Sequence, residues 1–236
     1  MLDSYKGITI MAVPGLHASV YDKIHLLYNS NIERKRLKVL DFGCGAGAFT
    51  QRLLDNGFDV TSVDITKKNF KVEDQSKFVE LNFNDELAVA KFVEDNFGRY
   101  DLVIGLEVIE HVENPWKYIR DLKTMLKPGG HLFISTPNVA NWHSRLRFLT
   151  KGTFDDFNEQ SQYEHINPIT PWEIKLILER TQIKLVSFHE AGKIYGAYKR
   201  KTLINIFVET LAKFLRLFQK GNLDGYCYFI CGQKPI

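Results

Sequence analysis

"VLDFGCGAGAF", Val39 to Phe49, places glycines at 43, 45 and 47 directly behind an apolar run that ends in Asp41. A short apolar run bounded by turn residues is a buried strand, and a glycine-rich turn after it bares backbone N–H groups to a closely approaching ligand. A helix beginning behind the turn adds a preference for negative charge at its N-terminus. The stretch therefore reads as strand, ligand turn and helix, the opening unit of a doubly wound α/β sheet. Two ligands fit this spelling. Gly43, Gly45 and Ala48 match the dinucleotide pattern G-x-G-x-x-G/A, and Asp64 closes the next apolar run, where NAD or another adenosine ligand would place its ribose. An NAD-dependent oxidoreductase is thus one alternative at this point.

Working outward, apolar runs mark strands at 37–42, 59–65, 77–83, 100–107 and 131–137, with helical patterns between most of them. Helices are expected in "AFTQRLLDNG", closed by Gly57, in "DELAVAKFVEDNFG", closed by Gly98, and in "NPWKYIRDLKTMLKPGG", opened by Asn114 and Pro115 and stopped at Pro128. The connection 66–76 is too short and polar for a helix. Beyond Pro137 an aromatic and polar insertion has no long clean period. A helix (171–182), a strand (183–188), a helical stretch (201–220) and a last strand (225–233) follow. The predicted fold is a Rossmann-like, seven-stranded, mostly parallel sheet with helices on both faces, a lid insertion and a C-terminal amphipathic helix.

With 236 residues, 44% hydrophobic and 25% charged, the chain has the composition of one ordinary globular domain. A net charge of +3 is too mild to indicate a nucleic-acid binder, which needs clustered Lys and Arg. Three cysteines make an odd count without a disulfide framework, so reduced thiols are expected, with Cys227 and Cys231 as small apolar residues of a strand. The opening "MLDSYKGITIMAVPG" carries no long apolar region, so neither a signal peptide nor a spanning helix is read there, and a cytoplasmic location is expected.

The acid two residues ahead of G-x-G-x-G, spelled Asp41-Phe42-Gly43-Cys44-Gly45-Ala46-Gly47, is followed in order by "YDLVIGLEVIEHVENP" (100–115) and "LKPGGHLFISTPN" (126–138). Together these motifs resemble the class I S-adenosylmethionine (SAM) dependent methyltransferases over roughly residues 37–140. The resemblance implies SAM as cofactor and S-adenosylhomocysteine as product. It also implies that Asp41, Gly43, Cys44, Gly45 and Gly47 hold the methionine part, Asp64 and Ile65 the ribose, and Asn82-Phe83 the adenine, with Leu106 and Glu107 beside the cofactor. Asn82 departs from the family's acid at its position, though an amide oxygen still accepts from the adenine amino group. The organisation that follows is a single domain over 1–236: an N-terminal cap (1–36), the SAM-binding core (37–137), a substrate lid (138–170) and the C-terminal part of the sheet (171–236). A non-catalytic SAM-fold scaffold is the remaining alternative.

If the acceptor is a hydroxyl, a base must take its proton, and histidine suits neutral pH. His111, with Glu110 beside it in "EVIEH", lies just past a strand's carboxyl end, where open parallel sheets place ligands. His165, in "QYEHINP", can close over the acceptor from the lid. His17, in the cap, is a third candidate, with helix packing as the alternative. Glu107, Glu110 and His111 also have the donor set for a divalent cation. Their spelling is similar to ubiquinone-biosynthesis O-methyltransferases, for which a metal there would be implied; the reading adopted is metal-free. Trp142, Phe148, Phe154, Phe157 and Tyr163 are candidates to wall an acceptor pocket, and Arg145, Arg147 and Lys151 would suit an anionic acceptor. The acceptor is expected to be a small molecule, with quinone, glycan and lipid-linked compounds all open. Apolar residues at three and four spacing from Leu203 to Phe218 make an amphipathic helix, either packed on protein or lying on a membrane surface to which "YKRK" (198–201) would add attraction.

Overall fold

The computed structural model describes residues 3–28, 37–72, 77–157, 165–192 and 203–236. Lys6 and Gly7 both take positive φ (48° and 79°), the pair that a two-residue hairpin turn requires. They join strands β1 (Ser4–Tyr5) and β2 (Ile8–Thr9), a hairpin absent from the sequence reading. Helix α1 (Leu16–Leu27) follows, burying Leu16, Val20 and Ile24 at four-residue spacing.

The apolar run ending in Asp41 becomes β3 (Lys38–Phe42), buried on both faces from Val39 onward as a central parallel strand must be. After it come α2 (Ala48–Asp55), β4 (Asp59–Asp64), β5 (Lys77–Glu80), α3 (Glu86–Asp95), β6 (Tyr100–Leu106), α4 (Pro115–Met125) and β7 (Leu126–Pro137). The remaining elements are α5 (Trp142–Lys151), α6 (Pro171–Arg180), β8 (Lys184–Ala191), α7 (Leu203–Leu215) and β9 (Cys227–Gln233). One seven-stranded sheet runs in the order β5-β4-β3-β6-β7-β9-β8, parallel from β5 to β7, with β9 antiparallel to both of its neighbours.

Side chains alternate across this sheet into two cores. Val39, Val60, Leu102, Ile104 and Phe133 face α1 and α2, whereas Leu40, Phe42, Val103, Leu132 and Ile134 face α3, α4 and α6. Helix starts are held by side chains that accept otherwise orphaned N–H groups: Asp85 from Ala88, Asn114 from Lys117, Asn141 from Ser144 and Thr170 from Glu173.

Two expectations need correction. The insertion after Pro137 contains the regular helix α5, capped by Asn141 and stopped at Gly152 with φ 71°. Its apolar residues Phe148 and Leu149 are exposed, so it has no clean buried stripe for periodicity to find. The strand expected at 131–137 begins at Leu126, which pairs with Tyr100 of β6 before a register shift, and Gly129 and Gly130 exchange hydrogen bonds with Lys234 just past β9.

Candidate active site

Strand order reverses between β3 and β6, and in a doubly wound sheet ligands bind at the carboxyl ends of the strands at that switch point. A cleft of about 890 Å³ opens there. Asp41, Gly43, Cys44, Gly45, Asp64, Ile65, Asn82, Phe83, Leu106, Glu107, Glu110, His111 and His165 all line it. Gly47 does not, since a Cβ there would meet Val72 at 2.5 Å and Phe70 at 2.8 Å; it closes the turn against residues 70–72.

The turn's geometry follows from two glycines. A Cβ on Gly43 would lie 2.2 Å from a Val108 methyl, so only glycine lets the turn pass under the residues that follow β6. Gly45 has φ 53° and no atom within 4 Å of its Cβ position, the bare face of a cradle. The turn is tied to β4: Gly43 N–H and Cys44 N–H donate to Val63 O, and Gly45 N–H donates to Asp64 Oδ2 at 2.7 Å. The second Asp64 oxygen accepts from Ile65 N–H at 2.8 Å.

Asp41 braces the turn from below, accepting from Thr50 Oγ1 at 2.6 Å. Burial pushes its carboxyl up to about 7, aided by Asp64 nearby and opposed by the Thr50 hydroxyl. Across the cleft, Phe83 stacks on Phe42 with ring centroids 4.3 Å apart, and Asn82 Oδ1 accepts from Asn84 N–H.

Glu107 ends β6 in the left-handed region, φ 55°, a conformation that costs a non-glycine residue about 1 kcal/mol or more. The surroundings hold it there. Its N–H donates to Ser135 Oγ, the same hydroxyl donates to Glu107 Oε1 at 2.7 Å, and Cys227 Sγ donates to Oε2 at 3.2 Å. Burial raises its pKa against those hydrogen bonds.

Glu110 is fully buried, and neither carboxylate oxygen has a hydrogen-bond partner among the described residues. Burial first, and then the Glu107 charge, hold it well above the ordinary carboxylate range. Its backbone carbonyl has a separate duty, accepting from Ile166 N–H and Asn167 N–H at 2.9 and 3.0 Å. The Asn167 side-chain amide adds a bond to Val112 O. These contacts dock residues 165–167 on the "EVIEH" turn, and the His111 and His165 rings meet edge to face at 4.7 Å. Burial, then the His111 charge, push His165 down to about 4, so its ring is neutral at neutral pH. Ligand atoms of Glu110, His111 and His165 lie within 4.8 Å of one another. Glu107 is not in that group, so the cation trio read from the sequence is replaced by one that includes the lid.

Other expectations for the lid are not met. Trp142, Phe148, Phe154 and Phe157 are outside the lining; Phe148 stacks on Phe154, Phe157 packs on His165, and Tyr163 lies outside the described residues. Arg145 donates to Ala140 O and Lys220 O, while Arg147 donates to Thr153 Oγ1, so neither faces the cleft. Lys151 is an exposed residue at the end of α5. Sequence reasoning also missed lining residues. Asp156, in the left-handed region at φ 61°, accepts from Tyr226 O–H at 2.5 Å, and both join the lining with Thr9 and Met11–Pro14 of the N-terminal cap; His17, the third histidine candidate, lines it as well. The only local signal was the polar Asp-Asp pair between Phe154 and Phe157.

A methyltransferase-domain family model matches residues 17–187. The chain is 32% identical over 131 residues to a ubiquinone biosynthesis O-methyltransferase of Acinetobacter baylyi, a match covering 50% of this chain and 55% of that enzyme. It thus spans little more than half the length of that relative. The enzyme of the same name from Coxiella burnetii is 30% identical over 168 residues, 67% of this chain and 70% of the relative. Among solved structures, a SAM-dependent methyltransferase from Archaeoglobus fulgidus superposes with TM-score 0.62 over 93% of each chain at 18% identity, a likeness of fold.

Proposed function

Because the chain belongs to the class I SAM-dependent methyltransferase family, we propose that it transfers a methyl group from SAM to a hydroxyl oxygen of a small-molecule acceptor. The observation that carries the reading is the pairing of His111 and His165 in one cleft with the bare glycine turn and Asp64. The open side of Gly45 fits a ligand pressed against the main chain, and Asp64, with both oxygens already fixed by N–H groups, keeps lone pairs for a ribose diol. Asn82 and Phe83 are placed for the adenine, and Asp41 and Glu107 for the walls around the methionine part. When bound, SAM supplies an electrophilic methyl on a sulfonium.

The protein's own work is then positioning and proton removal. His111 is the base that takes the acceptor's hydroxyl proton. His165, neutral and packed on His111, covers the acceptor from the side of residues 165–167 and excludes water. Glu110 is buried beside them, its carboxyl within 4.8 Å of both rings. The ubiquinone-pathway names of the relatives support a quinone-related phenol over a glycan or lipid-linked acceptor. Peripheral membrane contact through 203–218 is supported by the exposure of Phe207, Phe214, Leu217 and Phe218.

The test is S-adenosylhomocysteine release from SAM with catechol-type phenols, sugar nucleotides and lipid-linked glycans offered separately. Turnover with a phenol is expected; stabilisation by NAD(H) without any by S-adenosylhomocysteine would return the chain to the oxidoreductase alternative. The Glu110, His111 and His165 cluster favours one second reading, a divalent cation that lowers the acceptor's pKa. Activity that vanishes with a chelator and returns with Mg²⁺ or Zn²⁺ would put that reading first; with His111 as base, chelation leaves the rate unchanged.

A further inference from the structure

Asp155 and Asp156 stand at the tip of a turn closed by the bridge between Phe154 and Phe157, and their carboxyl groups part company. Asp155 meets His143 and, at 3.9 Å, Arg147 Nε, neither of which lines the cleft. Asp156 does line it, accepts from the Tyr226 hydroxyl, and has no ion pair among the described residues.

Both members of the Asp156 and Tyr226 pair are fixed from elsewhere. Asn138, buried just past β7, donates from its backbone N–H to Tyr226 O at 2.8 Å and from its side-chain amide to Asn222 O and Gly225 O at 3.1 and 3.0 Å. A Cβ on Gly225 would lie 2.6 Å from Glu190 Cβ, so the chain reaches Tyr226 pressed against β8. Asp156 is held at φ 61°, and strained residues of this kind persist where the surroundings over-determine them, often at ligand clamps. The His165 ring hydrogen-bonds the Asp156 backbone, which puts the pair beside the two histidines.

The cleft there is of one sign. Asp41, Asp64, Glu107, Glu110 and Asp156 line it, and no lysine or arginine among the described residues does. Glu110 has neither a cation nor a hydrogen-bond donor on its buried oxygens. Asp156 has the Tyr226 hydroxyl, and a donor to a carboxylate favours its charged form. A carboxylate or phosphate brought into this cleft gives up water and meets like charge, whereas an ammonium gains a partner.

Resting on the methyl-transfer reading above, we propose that Asp156, held by Tyr226, sets the charge of the acceptor. A phenol with an ammonium or no charge on its ring substituent is admitted; one with a carboxylate or phosphate there is rejected. Sugar nucleotides, which carry a diphosphate, fall on the rejected side.

Titration of the S-adenosylhomocysteine-saturated chain with catechols that share one diol tests this. Dopamine carries an ammonium, 4-methylcatechol no charge and 3,4-dihydroxyphenylacetate a carboxylate. Wild type is expected to bind dopamine about a hundredfold more tightly than 3,4-dihydroxyphenylacetate, with 4-methylcatechol between them. Asp156→Asn keeps an oxygen for Tyr226 and a residue type that tolerates the left-handed backbone, and should shrink that ratio by about tenfold or more. Asp155→Asn should shrink it far less. Equal binding of dopamine and 3,4-dihydroxyphenylacetate by wild type, a ratio that survives Asp156→Asn, or an equal effect of Asp155→Asn would overturn the proposal. Methyl transfer is read on the same proteins with SAM in place of the product. Catechols that bind in the expected order without being methylated would remove the activity proposed above and leave the charge preference standing; failure of all three to bind would remove both.

Discussion

At the scale of single residues, the proposed reaction asks one side chain to take a proton and several others to stay uncharged while buried. His111→Ala should lower kcat by about 10²-fold or more, the usual size of a general-base contribution, while the S-adenosylhomocysteine Kd stays within about twofold of wild type. An unchanged rate at saturating substrates would exclude His111 as the base. Asp41 gives a pH prediction. Its folded pKa, about 7, lies above its ordinary 3.8, so the native state holds a proton that the unfolded chain releases. Its favourable contribution is therefore complete below about pH 4 and is lost as pH rises through 7. Asp41→Asn removes that loss and keeps an oxygen for Thr50, so its thermal midpoint should fall less than wild type's between pH 5 and 8. A parallel pair of curves would show that Asp41 ionises freely. The glycine turn at the cleft was legible because it is local: spaced glycines directly behind the acid of one strand. The left-handed conformation of Glu107 was not, since Ser135 and Cys227 hold it from strands remote in sequence.

At the scale of elements, the lid decides whether the two histidines meet. His165 reaches His111 through backbone bonds from Ile166 and Asn167 to Glu110 O and through the Asn167 amide on Val112 O. Asn167→Ala removes the side-chain anchor from a half-buried position far from the glycine turn. About tenfold lower kcat is expected with an unchanged S-adenosylhomocysteine Kd; equal losses in both would mean that Asn167 supports the sheet and not the lid. Helices α2 to α4 could be read from periodicity because each buries one recurring face, and β3, β4 and β6 as short apolar runs because a central parallel strand is buried on both faces. The segment from Asn141 to Phe157 could not. Its order comes from polar contacts, Asn141 capping α5, His143 and Arg147 against Asp155, and Asp156 against Tyr226, which leave no hydrophobic period in the sequence. Of the aromatics that suggested a pocket wall, Phe148 pairs with Phe154, Phe157 with His165 and Trp142 with His143, while polar Asp156 lines the cleft.

At the scale of the whole molecule, the switch point explains why residues from the cap, core, lid and last strand converge on one cleft, and it leaves α7 without a part in the site. No helix among the described residues is long and apolar enough to cross a membrane. Yet Phe207, Phe214, Leu217 and Phe218 stand exposed at 58–76% in and just after α7, with exposed Lys213 and Lys220 nearby. The basic "YKRK" segment lies outside the described residues. Apolar rings beside lysines suit the interface of an anionic bilayer, where each buried phenyl contributes about 1.5–3 kcal/mol. A quinone-related acceptor would itself partition into that bilayer, so surface binding would bring the enzyme to its substrate. Phe207→Asp with Phe214→Asp should cut co-sedimentation with phosphatidylglycerol-containing vesicles at least tenfold. The thermal midpoint should hold, because both rings are solvated in the free protein. Turnover of a soluble phenol should also hold, while turnover of one embedded in vesicles falls with binding. Wild-type protein that stays in the supernatant, with a variant whose midpoint drops by several degrees, would instead place those rings against protein.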